Sequence, residues 1–339
     1  MITVRLRKVS DQIYWSSCPS KYMIEKLREK GVSTVVNLTY ECVDYNLPSS
    51  MELFHFPIID FSFVPPEEAL IKFIDLLHQK LLQGEKILIH CVGGIGRSGT
   101  AVAMLLVYHY DFSPQKALDT VYTYGGGPQS NIQRLVFNWF SRNLEMFGKE
   151  NLLKMIRHGY QNDLSKTIGH ASTVANISVD LLGTLSTRYT ISNDYLKTAY
   201  VSGLFHDIAK HIDEKGHHEL AAKMVLGWDF IKEFSDILLV SKAIYYHRGN
   251  TSLLEDKELK EMGLGSMITA AVVRLADSFG DIYSGNEVYS GAQITDDKLL
   301  INGIPRSMKR LTEKSKPLKI LLNLDIGIEY NPSDLHRFI

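Results

Sequence analysis

The stretch that most restricts what this chain can fold into is His90-Cys91-Val92-Gly93-Gly94-Ile95-Gly96-Arg97-Ser98-Gly99-Thr100. It follows Lys86–Cys91 (KILIHC), which has the β-branched, apolar character of a strand, and leads into the apolar helical stretch Thr100–Tyr108. A strand that passes through glycines into a helix is a junction of an α/β fold, in which a parallel-leaning sheet is flanked by helices. The text around it agrees. Thr34–Thr39 reads as a strand and Leu53–Ile58 as a weaker one. Pro66–Leu82 places apolar residues at helical spacing behind a proline and two glutamates, a favourable helix start.

Three chemistries compete for the junction. Gly94-x-Gly96-x-x-Gly99 fits a dinucleotide fingerprint only weakly, because it lies far from the N-terminus and its ribose-binding acid would have to be Asp119. A nucleotide-triphosphate loop is excluded, since no Lys-Ser/Thr pair follows the glycines. The third reading uses the cysteine and the arginine. Val92, Gly93, Gly94, Ile95 and Gly96 separate Cys91 from Arg97, enough backbone to wrap one tetrahedral dianion with N–H groups inward and a helix N-terminus behind it. Cys91 then sits beneath phosphorus, and the same positive field favours the thiolate, the nucleophilic form. Arg97 grips two phosphoryl oxygens, and Ser98 hydrogen-bonds the sulfur when it leaves. Asp60, just before Pro65-Pro66, is the candidate general acid and base; Gln129 and Gln133 are candidates for positioning water. The bland reading of Cys91 is a small buried residue at a strand end, and Cys18 and Cys42 receive that reading. For Cys91, the coincidence of cysteine, glycines, arginine and helix onset outweighs it. Asp60 alone would be a turn or capping residue, so its role depends on the loop.

His-Cys-x5-Arg-Ser with an upstream aspartate resembles the cysteine-dependent protein tyrosine phosphatases, and HCxxGxGRSGT looks most like the compact dual-specificity members. Ile13–Pro19 (IYWSSCP) and the segment from Leu27 to Leu38 are similar to the start of that family, so the likeness spans about the first 145 residues. It implies phosphomonoester hydrolysis through a phosphocysteine, without a cofactor.

After about Gly148 the text turns helical: Asn151–Thr187, Asp194–Lys210, His218–Val225, Asp229–Tyr246 and Gly265–Tyr283. Gln293–Ile301 and Leu318–Tyr330 read as strands, a small β tail. The expected division is residues 1–149, an α/β cysteine phosphatase domain, and 150–339, an all-α domain with that tail; 339 residues suit two domains. Lysine plus arginine total 37 against 38 aspartate plus glutamate, a net charge of −1, so no global field recruits nucleic acid or an anionic membrane. Three scattered cysteines make neither a disulfide framework nor a Cys-x-x-Cys zinc site, and no apolar run is long enough to span a membrane. A cytoplasmic location is the expectation.

In the helical half the informative pair is His206-Asp207, where adjacent nitrogen and oxygen ligands close an apolar helix. A buried aspartate there needs a partner, and a divalent metal would serve. His170, His247 and Asp277 lie on three further helices. Mixed imidazole and carboxylate ligands suit manganese, iron, cobalt, nickel or zinc, with magnesium at the oxygen-rich side. Singly, His170 or His247 would be a packed residue; together the positions favour metal. The pattern His170…His206-Asp207…Asp277 resembles the HD-domain metal-dependent phosphohydrolases over residues 160–285. Its flanks, including Tyr246-His247-Arg248, look closest to the HD domain of exopolyphosphatase and guanosine pentaphosphatase proteins. That likeness makes His217, His218 and His247 second-metal candidates, either of the adjacent pair facing inward, and Lys210 a substrate contact. It implies attack by a metal-bridging water. Three functions follow as expectations: a phosphatase acting on phosphoproteins or small phosphorylated molecules with a second, metal-dependent site; a chain whose main activity is the metal-dependent one, on a nucleotide or small ester; or a phosphatase regulated by an HD half that only senses a ligand.

Overall fold

The KILIH run is apolar throughout because it lies in the middle of a sheet. The computed structural model describes residues 6–42, 46–280 and 289–329, and the chain divides into two units, Met1–Glu145 and Met146–Ile339. In the first, strands β1 (Arg7–Lys8), β2 (Ile13–Ser16), β3 (Val32–Asn37), β4 (Glu52–His55) and β5 (Lys86–His90) form one sheet in the order β1-β2-β5-β3-β4. All neighbours are parallel except β1 with β2. His90 pairs with Ser16 on one side and Asn37 on the other, so the loops after β2, β3 and β5 leave the same end of the sheet. That is the end at which open α/β sheets bind ligands.

Helices α1 (Lys21–Glu29), α2 (Pro66–Ala69), α3 (Asp75–Leu82), α4 (Gly96–Tyr110) and α5 (Pro114–Thr123) complete the unit. The predicted helix from Pro66 to Leu82 is α2 and α3 joined by a π turn, Leu70–Ile74. Helix α6 (Asn131–Gln161) leaves helical geometry at Gly148 (φ 71°, ψ 162°).

The helix expected over Asn151–Thr187 breaks after Gln161, where Asp163 takes a left-handed conformation (φ 65°), and restarts as α7 (Ile168–Ser186). Aspartate tolerates that conformation, so no glycine announces the break. Then come α8 (Asn193–Phe205), α9 (His217–Leu226), α10 (Ile237–Tyr246), α11 (Lys257–Glu261) and α12 (Leu264–Ala276). The run expected from Asp229 to Tyr246 is a short 3-10 turn followed by α10, whose start is capped by Asp236 accepting from Leu238 N and Leu239 N. Among the described residues no helix is long and apolar enough to cross a membrane.

The tail differs most. The single strand expected over Gln293–Ile301 is a hairpin of β6 (Tyr289–Ile294) and β7 (Lys298–Gly303). The strand expected from Leu318 is helix as far as Leu322: α13 (Met308–Leu322) starts where the Ser307 side chain accepts from Arg310 N and stops where Asn323 turns left-handed (φ 48°). Only then does β8 (Asp325–Glu329) pair, in parallel, with β7. A short apolar run such as Leu318–Leu322 suits either state, and here the caps decided. The helix expected over Gly265–Tyr283 is α12, which stops at Ala276 with Asp277 as its C-cap, and the strand expected to Tyr330 ends outside the described residues.

One close approach fixes the geometry of the helical unit. A Cβ on Gly203 of α8 would lie 2.5 Å from Ala175 Cα and 2.7 Å from Ala175 N on α7, so the two helices touch backbone to backbone there. Gly203→Ala is expected to cost about 1–3 kcal/mol of stability by overpacking, read as a lower urea midpoint; an unchanged midpoint would show that the helices part freely.

Candidate active site and candidate metal centre

Cys91 stands at the end of β5, and the peptide directions after it are set from outside the loop. Cys18 N donates to Val92 O (3.0 Å), Arg7 Nη1 to Gly94 O (2.9 Å) and Gly127 N to Ile95 O (3.1 Å). A trans peptide points its N–H away from its C=O. These outward carbonyls therefore turn the N–H groups of Gly93, Ile95 and Gly96 to the opposite side. Gly94 N–H itself reaches Cys91 Sγ at 3.2 Å. Gly94 takes φ 66°, and a Cβ there would lie 2.3 Å from Ser17 N, so only glycine lets the loop lie against the end of β2.

Ser98 Oγ lies 3.2 Å from the sulfur and accepts from Trp15 Nε1 at 2.8 Å. An indole N–H only donates, so this bond leaves the serine proton available to the sulfur. Arg97, 2% exposed, directs Nη1 to Ile58 O (2.9 Å) and to Glu41 Oε2 (3.2 Å). Its Nε lies 3.2 Å from Asp60 Oδ1 without the alignment of a hydrogen bond. The exposed Asp60 is thus brought to the rim of the same site. Its loop is tied to the segment after Pro128: Ser130 Oγ donates to Phe61 O (2.5 Å) and Gln133 Nε2 to Ser62 O (3.2 Å). Gln133 Oε1 accepts from Gln129 N (2.9 Å), so this glutamine is engaged in holding the two loops. Gln129 Oε1 would lie 2.7 Å from a Cβ on Gly96, which leaves Gln129 the freer of the two beside the helix start.

The sequence reading missed Arg7, Trp15 and Glu41. Arg7 stacks its guanidinium 4.3 Å from the centroid of a Trp15 ring as well as holding the loop. Nothing in a row of basic residues near the N-terminus marks it, because its partner carbonyls lie 87 to 118 residues away. The bland reading of Cys18 and Cys42 is also corrected: they pair as a disulfide, with the His90 ring nearby. They are 24 residues apart in sequence but lie on neighbouring loops at one end of the sheet. Burial lowers the pKa of His90 to about 4.

In the second unit, His206, His247 and Asp277 each cap the C-terminus of a helix, α8, α10 and α12. Helix C-termini carry partial negative charge and favour cations. His170 enters from the first turn of α7 and His217 from the start of α9. Two triads result, His170/His206/Asp277 and Asp207/His217/His247, each with its ligand atoms within 4.8 Å of one another. Asp207 joins them: Oδ2 lies 3.6 Å from His206 Nε2 and 3.8 Å from His170 Nε2, while Oδ1 lies 3.1 Å from His217 Nε2 and 3.8 Å from His247 Nε2. His218 packs on the Tyr245 ring outside both triads, so of the adjacent histidines His217 faces inward. Lys210 Nζ binds Asp207 Oδ2 at 2.6 Å.

Imidazole tautomers test whether a metal fits. His217 Nδ1 lies 2.8 Å from Glu214 O and His247 Nδ1 2.6 Å from Ile244 O. A carbonyl only accepts, so both Nδ1 atoms carry the proton and both Nε2 atoms present lone pairs. Those lone pairs face each other at 3.2 Å, an arrangement that calls for a shared cation. His206 is fixed in the same way through Gly203 O (2.7 Å). Backbone partners of this kind are how proteins orient metal-binding histidines. Burial lowers the pKa of His170 to about 4 and pushes that of His247 well below its usual value, so both rings are neutral, as ligands must be. The residues fit a divalent metal.

The sequence reading also missed a basic face from the tail. Arg310 Nη2 reaches both carboxylate oxygens of Asp277 at 2.9 Å, Lys314 Nζ contacts Asp277 Oδ2, and Arg306 Nη2 lies 3.2 Å from His170 Nδ1. The i, i+4 spacing of Arg310 and Lys314 would have signalled one face had the segment been recognised as helix.

Comparison with known proteins matches the two sites to separate segments of the chain. A family model described as "Polymorphic toxin system, DSP-PTPase phosphatase" matches residues 9–111, and the HD domain model matches residues 167–280. The "Putative tyrosine phosphatase 067L" of Invertebrate iridescent virus 3 is 32% identical over 127 residues, covering 34% of this chain and 51% of that protein. "Phosphatidylglycerophosphate phosphatase PTPMT1" of Arabidopsis thaliana is 31% identical over 119 residues, covering 34% and 35%. The solved structure of Tk-PTP in the active form is 26% identical, covers 40% of this chain and 96% of that one, and has a TM-score of 0.37. The chain thus spans about a third to a half of the length of these curated relatives. It carries a tyrosine/dual-specificity-type phosphatase domain followed by an HD domain with buried His/Asp clusters.

Proposed function

We propose that the first unit hydrolyses phosphomonoesters of proteins or small molecules through a phosphocysteine, and that the HD unit is a second, metal-dependent phosphohydrolase. The observation that carries the first part is the loop whose outward carbonyls are pinned by Cys18, Arg7 and Gly127 while Gly94 N–H and Ser98 meet the sulfur. In the first step Cys91 Sγ attacks phosphorus as the ester P–O bond breaks, the inward N–H groups and Arg97 hold the phosphoryl oxygens, and Asp60 gives its proton to the departing oxygen. In the second, Asp60 takes a proton from water, water attacks phosphorus and the S–P bond breaks. Ser98, oriented by Trp15, stabilises the departing thiolate, and Gln129 is the better water-positioning candidate.

The HD reading is supported by Asp207, whose two oxygens face the two triads separately. His170, His206, Asp207 and Asp277 would hold one ion, and Asp207, His217 and His247 a second. Metal there supplies a water of lowered pKa and charge neutralisation at phosphorus. Lys210 and Asp207 form the charged edge of this site. The resemblance around Tyr246-His247-Arg248 makes exopolyphosphatase and guanosine pentaphosphatase HD domains the nearest analogy.

The test is a panel of aryl phosphates, phosphopeptides and nucleotides given to the full chain with and without chelator. Two activities are expected: one resistant to chelator and lowered about a hundredfold or more by Asp60→Asn, one lost to chelator and to His206→Ala. A single activity that chelator removes entirely would refute the phosphocysteine part.

A further inference from the structure

We infer that the segment bearing Arg306, Arg310 and Lys314, which lies beyond residues 167–280 matched by the HD model, is an anion clamp that holds a phosphoryl group against the histidine–aspartate centre. This deepens the phosphohydrolase reading of the HD unit and rests on it.

The first support is a surplus of positive charge. Asp207 and Asp277 are the carboxylates of the two triads, and Lys210, Arg306, Arg310 and Lys314 all reach ligand residues of those triads. Four fixed cations therefore stand over two fixed anions before any metal is counted. Adding divalent ions enlarges the surplus, and an anionic occupant is the group that balances it.

The second support is that these cations are held by residues a metal would claim: Arg306 by the second ring nitrogen of His170, Arg310 and Lys314 by the carboxylate of Asp277. Arg306 can only donate, so its bond to His170 Nδ1 makes that nitrogen an acceptor and puts the ring proton on Nε2. As a metal ligand through Nε2, His170 needs the proton on Nδ1, where Arg306 can no longer donate. Arg310 and Lys314 likewise share the carboxylate oxygens of Asp277 that a metal would claim. The donors now spent on His170 and Asp277, on Arg306 Nη2, Arg310 Nη2 and Lys314 Nζ, are thus released beside the centre, and guanidinium forks match phosphoryl oxygens.

The third is their anchorage and grading. Arg306 N donates to Ser278 O (2.9 Å), Arg310 Nε to Asp277 O (3.1 Å) and Lys314 Nζ to His247 O (2.9 Å), so the backbone at the ends of α10 and α12 holds the clamp in register with the ligands. Arg306 is exposed, the Arg310 side chain is 39% exposed and Lys314 is 6% exposed. The cations descend from solvent to the floor of the centre, as a binding device for an entering anion requires.

The experiment measures binding of inorganic phosphate by calorimetry to the full chain carrying Arg97→Ala, which weakens the competing loop, together with metal content by mass spectrometry. In this background Arg306→Ala is expected to weaken phosphate binding about tenfold, and Arg306→Ala with Arg310→Ala by more, with metal content unchanged and partial recovery in Arg306→Lys. Phosphate affinity that is the same with and without the arginines would overturn the clamp while leaving a metal-loaded centre intact. A chain that takes up no metal would instead overturn the metal reading. The clamp is judged by the same phosphate titration in either case, so the two failures are distinguishable.

Discussion

Replacing Cys91 with serine is expected to lower chelator-resistant hydrolysis of an aryl phosphate by about ten-thousandfold or more, the scale seen when the nucleophile of a covalent mechanism is removed. The loop should survive the change. Serine occupies nearly the same volume, and the contacts that pin the loop come from Arg7, Cys18 and Gly127 rather than from the sulfur. The variant is therefore expected to keep its thermal midpoint and still bind phosphate or vanadate. Residual activity within tenfold of the parent would mean that phosphorus is attacked by something other than Cys91. The metal-dependent activity, if assayed in the same variant, should be unchanged, because every residue assigned to it lies in the second unit.

The second large effect concerns Asp207. Its two oxygens face different histidine pairs, so Asp207→Ala removes a member of one triad together with the carboxylate oxygen beside the histidines of the other, whereas Asp277→Ala removes one member of a single triad. Metal content is expected to fall from about two equivalents toward zero in the first variant and toward one in the second, by mass spectrometry after dialysis; loss of even one supporting partner costs about 10–100-fold in affinity. Asp207→Ala also leaves Lys210 without its partner at 2.6 Å. Retention of two equivalents by Asp207→Ala would sink the bridging role. Cys91-dependent hydrolysis should be indifferent to both changes.

These expectations differ in how early they could be formed. Cys91, Arg97 and Ser98 are neighbours in sequence, and a strand, five intervening residues and a helix leave the backbone few ways to close. Asp60 needed the further assumption that its loop returns to that place, which the contacts of Phe61 and Ser62 with Ser130 and Gln133 now explain. Of the candidate HD ligands, His206-Asp207 was legible as a pair closing an apolar helix, and His170, His247 and Asp277 as residues offered by three further helices. Which of His217 and His218 turns inward was not, because one residue on a helix is a rotation of about 100° and the start of α9 had to be known first.

The α/β-then-helical architecture, the loop after β5 and the ligand types of the second unit were determined by the amino-acid sequence itself, since each is written in local periodicity or in residues close along the chain. Only the tertiary structure decided that Arg7 and Trp15 set the loop and its serine, that Cys18 meets Cys42, and that Arg306, Arg310 and Lys314 return to His170 and Asp277. Those are contacts between segments 24 to 136 residues apart. Their energy comes from burial and charge pairing after the chain has closed, and no local pattern records which distant carbonyl or carboxylate a given arginine will find.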